Sequence, residues 1–191
     1  MPGRPRDPDL EQRLLSTAWS MLTEHGYDAL ALAQVAAGAK AHRSDVYRRW
    51  PSKARLVTDV LAEFLPPVAD ADTGSLYSDL RAFVGDLAAA WSPAWNDGLL
   101  GLLADLRHDT DADATFRRMS ALRSQPLVNA IARAVRRGEI AEVPDLPLVG
   151  NLLEGPLMHR RTFGHRPMTP DDLDVLAQSV HRFLTTTGVR T

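Results

Sequence analysis

Leu32-Ala33-Gln34-Val35-Ala36-Ala37-Gly38-Ala39-Lys40-Ala41-His42-Arg43-Ser44-Asp45-Val46-Tyr47-Arg48-Arg49-Trp50-Pro51-Ser52-Lys53 reads as two short helices joined by a tight turn. In the first, about Ala31–Gly38, Leu32, Val35, Ala36 and Ala39 recur at helical spacing and face inward. In the second, about Arg43–Arg49, Val46 and Trp50 turn back toward the same core. Pro51-Ser52-Lys53 then breaks the chain, and Ser52 is a good N-cap for a further helix. That helix carries Leu56, Val57, Val60, Leu61 and Phe64 on one face. Upstream, Leu10, Leu14, Ala18, Met21 and Leu22 form one stripe of a helix that Gly26 closes at the C′ position.

The charge of this stretch is as distinctive as its spacing. Within Lys40–Arg55 six basic residues (Lys40, Arg43, Arg48, Arg49, Lys53, Arg55) stand against Asp45 alone. The whole chain, by contrast, has 191 residues and a net charge of −2. Such a local excess is either a solvated helical face or an electrostatic footprint for phosphate. Composition narrows the rest. At 45% apolar and 24% charged the chain has globular composition, which excludes a wholly disordered polypeptide. Without cysteine there is no thiolate nucleophile, disulfide or Cys-ligated metal. The longest run lacking Asp, Glu, Lys and Arg is Ala29–Ala39, far too short for a membrane span. The first residues lead into a charged segment instead of an apolar signal core. A soluble cytoplasmic protein with no membrane partner is expected.

Pro66-Pro67 and Asp70-Ala71-Asp72-Thr73-Gly74 mark a break, which divides the chain into residues 1–65 and 75–191. Beyond it the apolar spacing stays helical over Ser75–Trp91, Pro93–Arg107, about Ala112–Arg137 with a bend expected at Pro126, and Leu148–Arg161. Thr169-Pro170-Asp171-Asp172 opens a last helix, with Thr as N-cap and Pro at N1. No run has strand period. The expected fold class is all-α, a three-helix N-terminal domain followed by a larger helical domain.

Three short helices, the third basic and set off by a tight turn, outline a helix-turn-helix. A short helix fits the major groove and offers a few side chains to base edges, while flanking cations and hydroxyls fix its register on phosphates. His42, Arg43, Ser44 and Asp45 would then sit at the reading end, and Tyr47, Arg48, Arg49 and Lys53 would contact the backbone. Arg4 and Arg6, in the basic arm 1–8, would reach along the duplex or into its minor groove.

Two segments carry a resemblance. Leu32-Ala33-Gln34-Val35-Ala36-Ala37-Gly38-Ala39 and Val46-Tyr47-Arg48-Arg49-Trp50-Pro51-Ser52-Lys53-Ala54-Arg55-Leu56-Val57 resemble the DNA-binding domain of the tetracycline-repressor (TetR) family, over about residues 9–65. His25-Gly26-Tyr27-Asp28-Ala29 is similar to that family's join between its first two helices. Three positions depart from the family pattern. Ala31 stands where a hydroxyl residue usually caps helix 2, Lys40 where glycine usually makes the turn, and His42 where a small hydroxyl usually opens the recognition helix. A lysine in a turn that favours positive φ costs some strain. Asp45, an acceptor only, favours a cytosine N4 amine or repels phosphate.

The resemblance implies a ligand-binding and dimerisation domain in the remainder, and a homodimer acting on a palindromic double-stranded DNA operator until a small-molecule effector releases it. The last two helices carry wide apolar stripes, Val149, Leu152, Leu153 and Leu157 on one and Leu173, Leu176, Val180 and Phe183 on the other. These either pair with a second copy as a four-helix bundle or face only their own core. Trp91, Trp95, Phe116, Met119, Leu122, Met158 and His159 are candidates for an apolar or amphipathic effector pocket, or else plain core. Asp109-Thr110-Asp111-Ala112-Asp113 begins like a calcium loop, but Ala114 and Ser120 replace the required Gly and Glu, so it reads as a helix start. Glu154, His159 and His165 lack the spacing of a helical zinc site. No nucleophile elbow, P-loop or dinucleotide fingerprint is present, so neither an enzyme nor a cofactor or metal is expected. The alternative is a helical small-molecule sensor or enzyme with a vestigial helix-turn-helix.

Overall fold

The computed structural model describes residues 8–91, 96, 98–164 and 166–187. Arg4 and Arg6 of the expected arm, and Trp95 among the effector candidates, lie outside the described residues. In chain order the helices are α1 (Pro8–Ala29), α2 (Leu32–Gly38), α3 (Arg43–Arg49), α4 (Lys53–Phe64), α5 (Leu76–Trp91), α6 (Leu99–Leu106), α7 (Thr110–Arg137), α8 (Leu146–Gly164) and α9 (Pro170–Thr187). The described residues contain no strand, and the fold class is all-α. By their contacts, residues of 1–65 group with those of 93–119, and residues of 66–92 with those of 120–191.

In the first group the apolar stripe of α1 (Leu14, Ala18, Leu22) is fully buried with Val35, Val46, Leu56 and Val60. The helical path of α1 breaks at Gly26, whose φ of 77° and ψ of 176° suit a residue without Cβ. The break turns Tyr27 into the interior, where it is 2% exposed. Around it α6 packs through one stripe. A Cβ on Gly98 would lie 2.6 Å from the Tyr27 backbone nitrogen, and one on Gly101 2.5 Å from the Asp28 carboxylate. Four residues beyond Gly101, Asp105 accepts the Tyr27 hydroxyl at 2.5 Å. Burial and this carboxylate together push the Tyr27 phenol far above its ordinary value.

Asp109 makes the second tie. Its carboxylate accepts the Ala112 N–H at 3.1 Å, so it caps α7 as a helix-start reading expects. The same carboxylate accepts the Ser52 hydroxyl at 2.5 Å and Arg55 Nε at 3.0 Å. Ser52 in turn caps α4 by accepting the Arg55 N–H. Burial raises the Asp109 carboxyl, but Ser52, the Ala112 N–H and Arg55 outweigh it and hold the group below the usual aspartate range. These ties are why residues 96–119 pack with the N-terminal helices, although a linear division at residues 66–74 sets them in the second domain. The sixth helix spans Leu99–Leu106, and residues 93–95 and 97 of the expected Pro93–Arg107 lie outside the described residues.

In the second group α5 packs on α8 and α9. Leu76, Leu80, Val84, Ile131, Val149, Leu153 and Ala177 form the centre of its core. The segment leading into α5 is held by charge. Asp79 has no exposed side-chain surface and accepts both the Thr73 hydroxyl at 2.7 Å and the Thr73 N–H at 2.8 Å. Arg133 pairs with Asp70 at 2.7 Å, and Arg137 reaches Asp72 and Asp79, each at 3.4 Å. At the start of α9, Thr169 Oγ1 accepts the Asp172 N–H while Asp172 accepts the Thr169 N–H, a reciprocal cap. Pro126 lies within the continuous span of α7.

Two outcomes test the ties around α6. Gly98→Ala, which ordinarily gains about 0.4–1 kcal/mol by restricting the unfolded chain, will instead lose about 1–3 kcal/mol because the methyl meets backbone. Urea unfolding measures it. Because the folded-state pKa of Asp109 is depressed, its stabilisation is complete above the ordinary value of about 3.9 and is lost as pH falls through the lower folded value. Asp109→Asn will therefore unfold more readily than the parent at neutral pH, and the difference will shrink toward pH 3.

Candidate nucleic-acid interface

α3 has seven residues, and its inner side is set by burial. Val46 is 0% and Trp50 3% exposed, and the Trp50 indole donates to Asp59 at 2.8 Å. Seated this way, α3 turns His42, Arg43, Ser44, Tyr47 and Arg48 to the surface, and Tyr47 is 49% exposed despite its ring. Arg43, Ser44, Tyr47 and Arg48 follow i, i+1, i+4, i+5 spacing and so share one face. The α2–α3 turn contributes Lys40, at φ 54°, the only non-glycine with positive φ among the described residues. An exposed Arg13 on α1 adds a further cation, and an open groove lined by Arg13, Ser16, Thr17 and Lys40 runs between α1 and that turn.

The departures noted at Ala31 and His42 have local consequences. Neither residue supplies a side-chain cap. The first-turn N–H groups of α2 and α3 therefore lose a bond generally worth about 1 kcal/mol.

Not every expected contact is presented. The Arg49 side chain is only 6% exposed, so it is turned inward instead of toward a duplex. Three residues separate it from Val46, which puts both on the inner side of a 3.6-residue turn. Its Nη1 donates to the Asp45 carbonyl at 3.1 Å, and its Nε stands 3.6 Å from the Glu11 carboxylate of α1. Asp45 is half-buried and holds Arg48, Nη2 to Oδ1, at 2.6 Å. Lys53 is half-buried too. Its ammonium donates to the Tyr27 carbonyl at 3.2 Å and lies 4.1 Å from the centre of the Tyr27 ring. Sequence reading overlooked Glu11 and Tyr27 as supports. The breaking glycine before Tyr27 was the available signal, whereas nothing in spacing pairs Glu11 with Arg49.

The described effector candidates are divided between the two groups of helices. Phe116 and Met119 belong to the first group of helices, and Trp91, Leu122, Met158 and His159 to the second. Leu122 is 70% and Met158 40% exposed, and His159 is a surface residue whose ring lies 5.1 Å from that of Phe163. Trp91 is half-buried against the second core. Helical spacing selects a stripe, but does not say which side of it is covered. The eight dimer candidates divide for the same reason. Val149, Leu153, Leu157, Leu173 and Val180 are buried in their own core, and Leu176 packs against it. Leu152 and Phe183 are 38% and 39% exposed. Leu148, Phe163 and Val175, absent from that expectation, are more exposed still.

Comparison with known proteins converges on one family. The family described as bacterial regulatory proteins, tetR family, matches residues 14–60, and the tetracyclin repressor-like C-terminal domain matches residues 70–180. An HTH-type transcriptional regulator of Mycobacterium tuberculosis is 33% identical over 183 residues, 93% of this chain and 90% of that one. A DNA-binding transcriptional repressor TetR of Mycobacteroides abscessus is 36% identical over 159 residues, 79% of this chain and 81% of the other. Among solved structures, the TetR family transcription regulator SCO0332 superposes with a TM-score of 0.68 at 22% identity, covering 96% of this chain and all of that one. The flavonoid-responsive regulator FrrA does so at 0.65 and 16%, over 97% of this chain and again the whole of its counterpart. Those two likenesses concern the fold. With both of its domains matched, this chain belongs to the TetR family of transcriptional regulators, with a DNA-binding helix-turn-helix.

Proposed function

We propose that the protein is a homodimeric repressor that reads a palindromic operator and leaves it when a small molecule binds its C-terminal region. The observation that carries the reading is the outward face of α3, where Arg43, Ser44, Tyr47 and Arg48 stand exposed on a helix held by Val46 and Trp50. Arg43 and Ser44, at its first turn, are the base readers, with His42 beside them. Tyr47, Arg48 and Lys53 meet phosphates, Lys53 from the fixed position that Tyr27 imposes. Arg49 is a positioning residue. A short reading helix touches too few base pairs for useful selectivity, and a two-fold pair of them doubles the readout.

The exposed apolar face of the last two helices supports the dimer. On α8, Leu148, Leu152, Gly155, His159 and Phe163 share one side, opposite the buried Val149, Leu153 and Leu157. A Cβ on Gly155 would meet nothing within 4 Å, so this side offers close approach to a second helix. α9 adds Val175 and Phe183. A four-helix bundle made by two copies covers both stripes. The relative named a DNA-binding transcriptional repressor supports the sign of regulation. Release follows if the effector favours a separation of the two reading helices that no longer matches successive major grooves. A coupling of about 1–3 kcal/mol changes occupancy severalfold or more.

Selection of bound sequences from a random duplex pool at near-physiological salt tests the reading. Recovery of an inverted repeat is expected, and recovery of no common sequence would overturn it. Arg43→Ala will relax preference at one position per half-site, by about 1–3 kcal/mol. Arg48→Ala will weaken binding to the selected sequence and reduce its salt slope by about 1. For the dimer, Leu152→Glu combined with Val175→Glu will shift sedimentation from two copies to one, with helical content kept because neither side chain belongs to the core.

A further inference from the structure

Four charged groups alternate across the α1–α3 contact. Glu11 of α1 faces Arg49 Nε at 3.6 Å, Arg49 Nη1 lies 4.0 Å from Asp45 Oδ1, and Asp45 Oδ1 holds Arg48 Nη2 at 2.6 Å. The chain runs from a half-buried acid to a guanidinium that is 67% exposed on the reading face. Arg49 is fixed by its inward position and by the Asp45 carbonyl. Asp45 is therefore held on the shoulder of α3, and its remaining freedom is exchange of the outer partner, Arg48.

That exchange has a chemical condition attached. An ionised carboxylate carried into the major groove faces two walls of phosphate, and it loses water while gaining no donor from the backbone. The groove offers donors only as the N4 amine of cytosine and the N6 amine of adenine. Where such an amine stands opposite Asp45, it replaces the guanidinium on the carboxylate and Arg48 is free to swing onto a phosphate. Where none does, Arg48 stays on Asp45 and the pair arrives at the duplex with its charge cancelled. Non-cognate DNA is then denied one cation and pushed by one anion at the same place.

We propose that Asp45 is a specificity-determining residue that keeps Arg48 from non-cognate phosphates and hands it over only where a cytosine or adenine amine meets its carboxylate. This rests on the DNA-reading function argued above and adds the residue that sets its selectivity.

The test compares the selected duplex with a scrambled one of equal length, by titration across a salt series. Asp45→Asn keeps the shape and removes the charge. It is expected to tighten binding to the scrambled duplex about tenfold and to steepen its salt slope by about 1. Binding to the selected duplex will not gain, so the ratio between the two falls. In Arg48→Ala the same substitution at Asp45 will give the scrambled duplex a smaller gain, since no cation is left to release. A parallel arm uses the unmodified protein and duplexes in which single cytosines or adenines lack the exocyclic amine. One position per half-site should weaken binding about tenfold and should lose that sensitivity in Asp45→Asn. Equal change on both duplexes with an unaltered slope, or no amine whose deletion matters, would overturn the proposal while leaving DNA reading intact. If the unmodified protein binds neither duplex at low salt, the DNA-reading function itself fails.

Discussion

Everything at the reading end of this molecule depends on how α3 is seated. Seven residues are too few to be stable as an isolated helix, because nucleation consumes most of what so short a segment gains. α3 persists because Val46 and Trp50 are buried against its neighbours and Trp50 is hydrogen-bonded to Asp59 of α4. The two anchors are four residues apart, which fixes the rotation of the helix about its axis and thereby decides which side chains look outward. Arg49 follows from the same rotation. It falls on the inner side, and its guanidinium becomes a brace between α1 and α3 where the residue type alone suggested a phosphate contact.

Around that seat the N-terminal helices are tied twice to residues far along the chain, by Tyr27 to Asp105 and by Ser52 and Arg55 to Asp109. Both ties end on groups next to the reading helix in space or sequence. Tyr27 also carries Lys53 on its ring and carbonyl, and Ser52 begins α4 directly after Trp50 and Pro51. Each tie uses a carboxylate with a hydroxyl, an arrangement that depends on ionisation and distance more than on apolar area.

Much of the architecture was legible from spacing. The stripes of α1, α2, α4 and α9, the Ser52 and Thr169 caps, the break at Gly26 and the helix start at Asp109 all follow from local rules, and local rules act within a few residues. The positive φ of Lys40 was also legible, since the tight turn demands it whichever residue stands there. The errors share a cause. Val149, Leu153, Leu157, Leu173 and Val180 were candidates for a partner's surface and proved to be core, while Leu148, Phe163 and Val175 stand outside it. A helix with apolar residues on two sides declares that both need cover, but not which side its own chain supplies.

What the sequence alone determined is the class of the protein: helical throughout its periodic segments, headed by a basic helix-turn-helix, and similar over residues 9–65 to one family of regulators. Hydrophobic period, caps and local charge suffice for that because each is a property of neighbours along the chain. Only the tertiary structure decided that the Arg49 guanidinium turns inward toward Glu11 and the Asp45 carbonyl, that Lys53 is parked on Tyr27, and that Asp45 holds Arg48. It alone assigned residues 96–119 to the N-terminal helices. The physical reason is common to all four. Each turns on the direction of a side chain and on a partner within about 4 Å, and a partner brought close by folding leaves no mark in the spacing of a sequence.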